Sequence, residues 1–152
     1  MIRIMFVCHG NICRSTMAEF LMKDKVSKLG ESQEFIIESA GTSSEEYGNP
    51  VHYGTRRILD RLNIDCSKKR ATVLKASDYD KYDYFIGMDE RNRRNMQRIF
   101  LGDKENKVFC LMDYTKNPRE VSDPYWTGNF EETYSDVKEG IDAFYNFLKN
   151  NF

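Results

Sequence analysis

Apolar positions along this chain fall into short runs and spaced stripes, and the alternation of the two predicts the architecture. Ile2 to Val7 is apolar on both faces except at Arg3, the pattern of a strand buried between two layers. A polar stretch from Cys8 to Ser15 follows. Met17, Phe20, Leu21, Val26 and Leu29 then recur near helical spacing, with Ser15 at the head of the helix, Glu19 in its first turn and Gly30 as its stop. Phe35–Glu38 reads as a second strand, Thr55–Asn63 as a helix with Ile58, Leu59 and Leu62 on one face, and Tyr82–Met88 as a strand. Arg91–Phe100 reads as a helix with a basic exposed side, and Val108–Met112 as the last strand. The closing helix, Phe130–Leu148, carries a stripe of Tyr134, Val137, Ile141, Phe144, Tyr145 and Leu148. Two long polar segments, Ser39–Gly54 and Asp113–Gly128, read as loops.

Strands alternating with helices predict a three-layer α/β sandwich, with a central parallel sheet of about four strands and helices on both faces. In such sheets ligands bind outside the carboxyl ends of the strands, so the loop after the first strand is the first place to look for chemistry. No repeat, linker or low-complexity tract divides the 152 residues, which read as one domain, 1–152.

Charge and cysteine usage narrow the function. With 23 basic and 24 acidic residues, the net charge of −1 argues against general nucleic-acid binding. The four cysteines form no C-x-x-C and only two histidines are present, so no zinc site is expected. No stretch approaches the roughly 18 apolar residues of a membrane span, and the amino terminus has no secretory pattern. These features point to the cytoplasm, where a cysteine stays reduced and available as a nucleophile.

The loop reads Cys8-His9-Gly10-Asn11-Ile12-Cys13-Arg14-Ser15, a cysteine and an arginine separated by five residues between a strand and a helix. A loop that curls into a helix turns successive N–H groups inward and makes a nest for an anion. Gly10 and Asn11 tolerate the positive φ of such a curl. Arg14 can hold two phosphate oxygens at once, and an anion there offsets the poor placement of a cation at a helix start. The same amides stabilise a negatively charged sulfur at Cys8, and Ser15 is placed to donate to it. Cysteine-x5-arginine is by itself a moderately specific pattern. A buried apolar cysteine at a strand end remains the plain alternative for Cys8, and a turn-forming Asp-Pro the plain alternative for Asp123.

The longer string Val7 to Ser15, followed by Met17-Ala18-Glu19, closely resembles the signature of the low-molecular-weight protein tyrosine phosphatases. The resemblance returns in Ser39-Ala40-Gly41-Thr42, in Met88-Asp89-Glu90-Arg91-Asn92 and in Asp123-Pro124-Tyr125-Trp126, and so covers the whole chain. It implies hydrolysis of phosphotyrosine and small aryl phosphates through a cysteinyl phosphate, without metal or cofactor. By the same resemblance Cys8 is the nucleophile, Arg14 binds phosphate and Asp123 is the general acid and later the base. Asn11 and Ser15 support the loop and the sulfur, Ser39 backs them, and His9, Gly10, Ile12 and Cys13 complete the phosphate-binding loop. Cys13 is implied as a partner for a reversible disulfide with Cys8. Tyr47, Tyr125 and Trp126 are expected at the substrate rim, where aromatic rings suit a flat phenyl group. The expected partner is a phosphotyrosine protein or peptide, with no nucleic acid or membrane, and the molecule is expected to be a monomer or weak dimer.

The chain departs from that family pattern at several positions. Thr16 replaces a usual proline, His9 stands where an apolar residue is common, and Lys69 and Thr72 replace histidine and arginine behind the loop. Glu45 and Glu46, with Tyr47 and Tyr53 near them, stand where relatives usually carry an aromatic, which bears on peptide preference. Ile12 resembles tyrosine-directed members, whereas phosphoarginine-directed relatives carry threonine there. An arsenate reductase would need a resolving cysteine pair, and only Cys66 and Cys110 remain. A cysteine phosphocarrier would not need Arg14 or Asp123. The basic side of the Arg91–Phe100 helix, with Arg91, Arg93, Arg94 and Arg98, could touch an acidic partner but is expected to be a solvated face.

Overall fold

The computed structural model describes residues 1–151. Strands β1 (Ile2–Cys8), β2 (Phe35–Gly41), β3 (Tyr84–Gly87) and β4 (Val108–Cys110) form one parallel sheet in the order β2-β1-β3-β4. Helices α1 (Arg14–Lys28), α2 (Tyr53–Arg61), α3 (Glu90–Ile99), α4 (Pro124–Thr127) and α5 (Phe130–Asn150) complete the chain. The central strand shows why both faces must be covered. Ile4 and Phe6 pack with Met17, Met22, Val137, Ile141 and Phe144 of α1 and α5, while the alternate residues Met5 and Val7 pack with Phe85, Met96 and Phe100 toward α3. Period-two alternation therefore feeds two separate cores, and the expected three-layer sandwich is observed.

The closing stripe holds, with Val137, Ile141, Phe144 and Leu148 buried. Tyr145 instead lies at its edge, where its hydroxyl donates to Glu31 Oε1 at 2.6 Å. Helix α5 packs so closely on the 3-10 turn Leu111–Tyr114 that a Cβ on Gly140 would lie 2.5 Å from Leu111 Cγ, so this helical glycine is needed for close packing. No helix among the described residues is long and apolar enough to cross a membrane.

Several boundaries differ from the expectation: the second strand runs on to Gly41, through Ser39–Gly41 that read as loop, because those residues pair with Phe6–Cys8 of β1, and α2, α3 and α5 shift by one or two residues at their ends. The last strand ends at Cys110 rather than Met112, because the Asp113 carboxylate accepts from Cys110 N at 3.1 Å and turns Leu111–Tyr114 into a 3-10 helix. The third strand spans Tyr84–Gly87 rather than Tyr82–Met88. Within the segment read as loop, Pro124–Thr127 is helical, capped by the Asp123 carboxylate and closed by Gly128 at φ 67°. Asp, Pro and Gly at those three places are ordinary start and stop signals for a short helix.

The sheet order decides where chemistry can occur. β1 lies between β2 and β3, so the residues that leave the carboxyl ends of all three strands converge: the Cys8 loop, Ser39–Gly41 and Met88–Asp89.

Candidate active site

The loop after β1 is held from outside by its carbonyls. Cys8 O accepts from Thr42 N (2.9 Å), His9 O from Ser43 N (3.0 Å) and Ile12 O from His52 N (2.9 Å). Cys13 O accepts from Met17 N (3.1 Å) and from the hydroxyls of Thr16 (2.9 Å) and Thr55 (3.2 Å). The N–H groups of Gly10, Ile12, Cys13 and Arg14 donate to no acceptor among the described residues. A ring of amides without acceptors, on a loop whose carbonyls at Cys8, His9, Ile12 and Cys13 are engaged elsewhere, has the makings of an anion nest. Asn11 alone in this loop takes the positive φ, at 61°. Gly10 does not, which corrects that part of the expectation. A Cβ on Gly41 would lie 2.7 Å from His9 O, so Gly41 is the floor on which the loop rests.

Ser15 does not cap α1. The helix begins at Arg14, its N-cap Cys13 makes no side-chain capping bond, and the Ser15 hydroxyl turns to the sulfur of Cys8 at 3.0 Å. The direction of that bond follows from its neighbours. Thr72 N donates to Asn11 Oδ1 at 3.0 Å, which fixes the amide orientation. Asn11 Nδ2 then donates to the oxygens of Ser15 and Ser39, each at 2.9 Å. Ser39 passes its own proton to Glu19 Oε1 at 2.5 Å, and Ser15 is left to donate to Cys8 Sγ. Asn11 N adds a second donor to the sulfur at 3.3 Å. Cys8 thus carries two hydrogen-bond donors at its sulfur and is 4% exposed.

Glu19 was legible as a helix residue but not as a site residue. It is 2% exposed and anchors the whole chain of hydrogen bonds, accepting from Ser39, from Lys23 Nζ at 2.6 Å and facing Lys69 Nζ at 3.4 Å. Lys69 also donates to Ser39 O at 2.9 Å. The position that departs from the family pattern therefore still serves the loop, with a fixed cation against the buried carboxylate. Glu19→Ala leaves the Ser39 hydroxyl and two ammonium groups without their acceptor. We expect a loss of about 1–3 kcal/mol in a denaturant titration, together with a fall in kcat. Glu19→Gln keeps an acceptor for Ser39 and recovers part of both.

Arg14 is 4% exposed. Its Nη1 donates to Val121 O at 3.1 Å, and Nη2 faces Asp89 Oδ2 at 3.0 Å and Asp123 Oδ2 at 3.3 Å. Asp89 is the second residue that reading the chain did not assign. Its signal was its place directly after β3, beside the end of β1, as the N-cap of α3, where its Oδ1 accepts from Asn92 N at 2.8 Å. Asp123 meets the same guanidinium nitrogen, with its Oδ1 accepting from Tyr125 N at 3.0 Å. The segment that carries Asp123 is clamped to α5: Arg119 pairs with Asp136 at 2.8 Å and with Glu139 at 3.1 Å, Ser122 N donates to Asp136 at 2.9 Å, and Thr133 donates to Ser122 O at 2.9 Å.

The remaining site residues divide. Burial, and then the electrostatic influence of Cys8, push the Cys13 thiol up to about 12, which disfavours its charged form. All four cysteines are free, with Cys66 in the cluster around Leu59 and Ile64 and Cys110 at the end of β4. His9 is exposed at the lip, with Nε2 facing Glu45 Oε2 at 3.3 Å. The acidic rim is real at Glu46, which packs 3.2 Å from where a Gly10 Cβ would stand. Tyr125 and Trp126 are 80% and 76% exposed and pack edge to face on one another just beyond Asp123, so they are not core filling. Tyr47 points to solvent on the loop that carries Glu46. The larger groove of the molecule lies elsewhere, between α2 and the start of α5, around Arg57, Arg61 and Phe130.

Comparison with known proteins agrees with this geometry. Residues 3–152 match the model of the family described as low molecular weight phosphotyrosine protein phosphatase. The chain is similar to the low molecular weight protein-tyrosine-phosphatase YfkJ of Bacillus subtilis, 38% identical over 144 residues, covering 93% of this chain and 92% of the relative. The crystal structure of YfkJ superposes with a TM-score of 0.95 at 35% identity over 99% of this chain and 96% of the other. A low molecular weight protein tyrosine phosphatase from Streptococcus pyogenes, at 38% identity, gives a TM-score of 0.87 over 97% and 93% of the two chains. With a family model spanning nearly its whole length and relatives of this similarity, the chain belongs to the low molecular weight phosphotyrosine protein phosphatase family.

Proposed function

We propose that this phosphatase hydrolyses phosphotyrosine with Cys8 as nucleophile, Arg14 as phosphate clamp and Asp123 as general acid, as a single domain in the cytoplasm. The observation that carries the reading is the meeting of three groups at one point. A doubly hydrogen-bonded sulfur, a ring of amides without acceptors and a buried guanidinium shared with Asp123 come together at the end of β1.

The phosphate dianion of the substrate enters the nest and draws Arg14 from its two carboxylates, a bidentate exchange that suits the guanidinium fork. Cys8 Sγ attacks phosphorus in line with the tyrosyl oxygen. Asp123, released from Arg14, takes up a proton from solvent; the S–P bond then forms as the P–O bond breaks, and Asp123 transfers that proton to the leaving oxygen. Asp123, now a carboxylate, takes a proton from water as the water oxygen attacks phosphorus. The S–P electron pair returns to sulfur, where the Ser15 hydroxyl and Asn11 N–H receive the charge. The chain supplies every group in this sequence, so the reading needs no metal or cofactor. A phosphocarrier would have no use for Arg14 and Asp123 held together. An arsenate reductase would need a resolving pair, and the Cys110 thiol is pushed up to about 12 by burial.

Ile12 supports phosphotyrosine over phosphoarginine. Matched peptides, assayed in the presence of a chelator, should show kcat/KM higher for phosphotyrosine by about tenfold or more. A greater rate on phosphoarginine overturns that assignment.

A further inference from the structure

On the outer side of the catalytic loop lies a second, smaller pocket of about 320 Å³, lined by His9, Thr42, Asn95, Arg98 and Ile99. One wall is the loop itself, since His9 follows the nucleophile and Thr42 N is bonded to Cys8 O. The other wall is the last part of α3. No carboxylate lines it. Its polar lining residues are Arg98, Asn95, His9 and Thr42, and the Thr42 hydroxyl, itself buried, has no hydrogen-bond partner among the described residues.

Arg98 differs from its helical neighbour Arg93. Arg93 is tied to Asp113 at 2.8 Å and to Glu90 at 3.1 Å. Arg98 is exposed, donates to Asn95 Oδ1 and forms no ion pair among the described residues. On the far side of the lip, Glu45 and Glu46 supply negative charge, and Glu45 holds His9. The mouth of the site is therefore polar in charge, cationic toward α3 and anionic toward the loop after β2.

We propose that the Arg98 pocket is a subsite for an anionic side chain, a carboxylate or a second phosphate, next to the phosphotyrosine of the substrate. The proposal rests on the phosphatase reading of the Cys8 loop. The anion would accept from the Arg98 fork and the Asn95 amide, with Ile99 beneath its aliphatic stem. It would also place the peptide in one direction across the mouth, with its acidic side over α3.

The test uses phosphotyrosine peptides that differ only in carrying Glu, Ala, Lys or a second phosphorylated residue at each flanking position, read as kcat/KM relative to the Ala peptide of the same protein. At one or more positions the wild type should prefer Glu by about threefold to fivefold through KM, and a second phosphate by more, with added salt reducing both. Arg98→Ala should remove the preference, Arg98→Glu should turn it toward Lys, and Arg98→Lys should keep part of it. A response to the second phosphate alone assigns the pocket to doubly phosphorylated substrates. An acidic preference that survives in Arg98→Ala, or no charge preference at any position in the wild type, overturns the proposal while hydrolysis of p-nitrophenyl phosphate leaves the phosphatase reading standing. If the wild type hydrolyses neither the peptides nor p-nitrophenyl phosphate, the phosphatase reading has failed and the subsite falls with it.

Discussion

Cys8→Ser should lose phosphotyrosine hydrolysis by about four orders of magnitude or more and should still bind inorganic phosphate. The two effects separate because two sets of atoms do the two jobs. Phosphate is held by the amides of Gly10, Ile12, Cys13 and Arg14, whose carbonyl neighbours are anchored to Thr42, Ser43, His52 and Met17 whatever stands at position 8. Bond formation needs a sulfur that carries charge at neutral pH, and a serine hydroxyl does not. The substitution is smaller than the residue it replaces and can exchange hydrogen bonds with Ser15, so the thermal midpoint should shift little. Isothermal titration with phosphate beside an aryl phosphatase assay checks both halves. A serine variant with substantial turnover would remove the covalent mechanism, and one that has lost both binding and stability would show only a damaged fold.

Asp123→Asn should lower kcat on phosphotyrosine by about 10²- to 10⁴-fold. The variant retains an oxygen for Tyr125 N and the cap of α4, and the clamp of Arg119 and Ser122 to α5 does not involve the substituted group. What disappears is the proton. Tyrosine leaves as a phenolate whose conjugate acid has a pKa near 10, so an unprotonated departure is costly. The loss should be smaller for p-nitrophenyl phosphate, whose leaving group needs less help. The diagnostic quantity is that difference between the two substrates, measured in a stopped assay over a range of pH. An equal loss on both substrates would assign Asp123 to positioning Arg14, which it faces at 3.3 Å, rather than to acid catalysis.

Much of this site could be read from the chain because its chemistry is local. One stretch of eight residues holds the proposed nucleophile, nest, clamp and sulfur donor, and the strand before it is strongly patterned; the helix after it is less so, and Leu29 of its expected stripe is exposed. Asp123 was legible through its Asp-Pro motif. What could not be read lies across sequence distance. Asp89 reaches Arg14 because β3 sits beside β1, and Glu19 matters because Ser39 arrives from β2 to meet it. Periodicity reports which face of a helix is buried, and a buried carboxylate on that face gives no local sign of its partner. Ser15 was read both as the head of the helix and as a donor to the sulfur, and the second reading is the one its hydroxyl follows, because the sulfur of Cys8 outcompetes the backbone as its partner. The short α4 was passed over because its cap residue was read for its chemistry alone. The basic side of α3 proved half structural, with Arg93 tied down and Arg98 left to face the pocket.

The measurement that bears most directly on the central claim is the fate of the phosphoryl group. Asp123→Asn, which should phosphorylate on an activated aryl phosphate and then hydrolyse slowly, is mixed with p-nitrophenyl phosphate, quenched in acid and fragmented for tandem mass spectrometry. The mechanism derived from this geometry places one phosphoryl group on the sulfur of Cys8 and none in the Cys8→Ser protein. A phosphoryl group on His9 or Cys13, or continuing turnover with no covalent adduct at any residue, would contradict it.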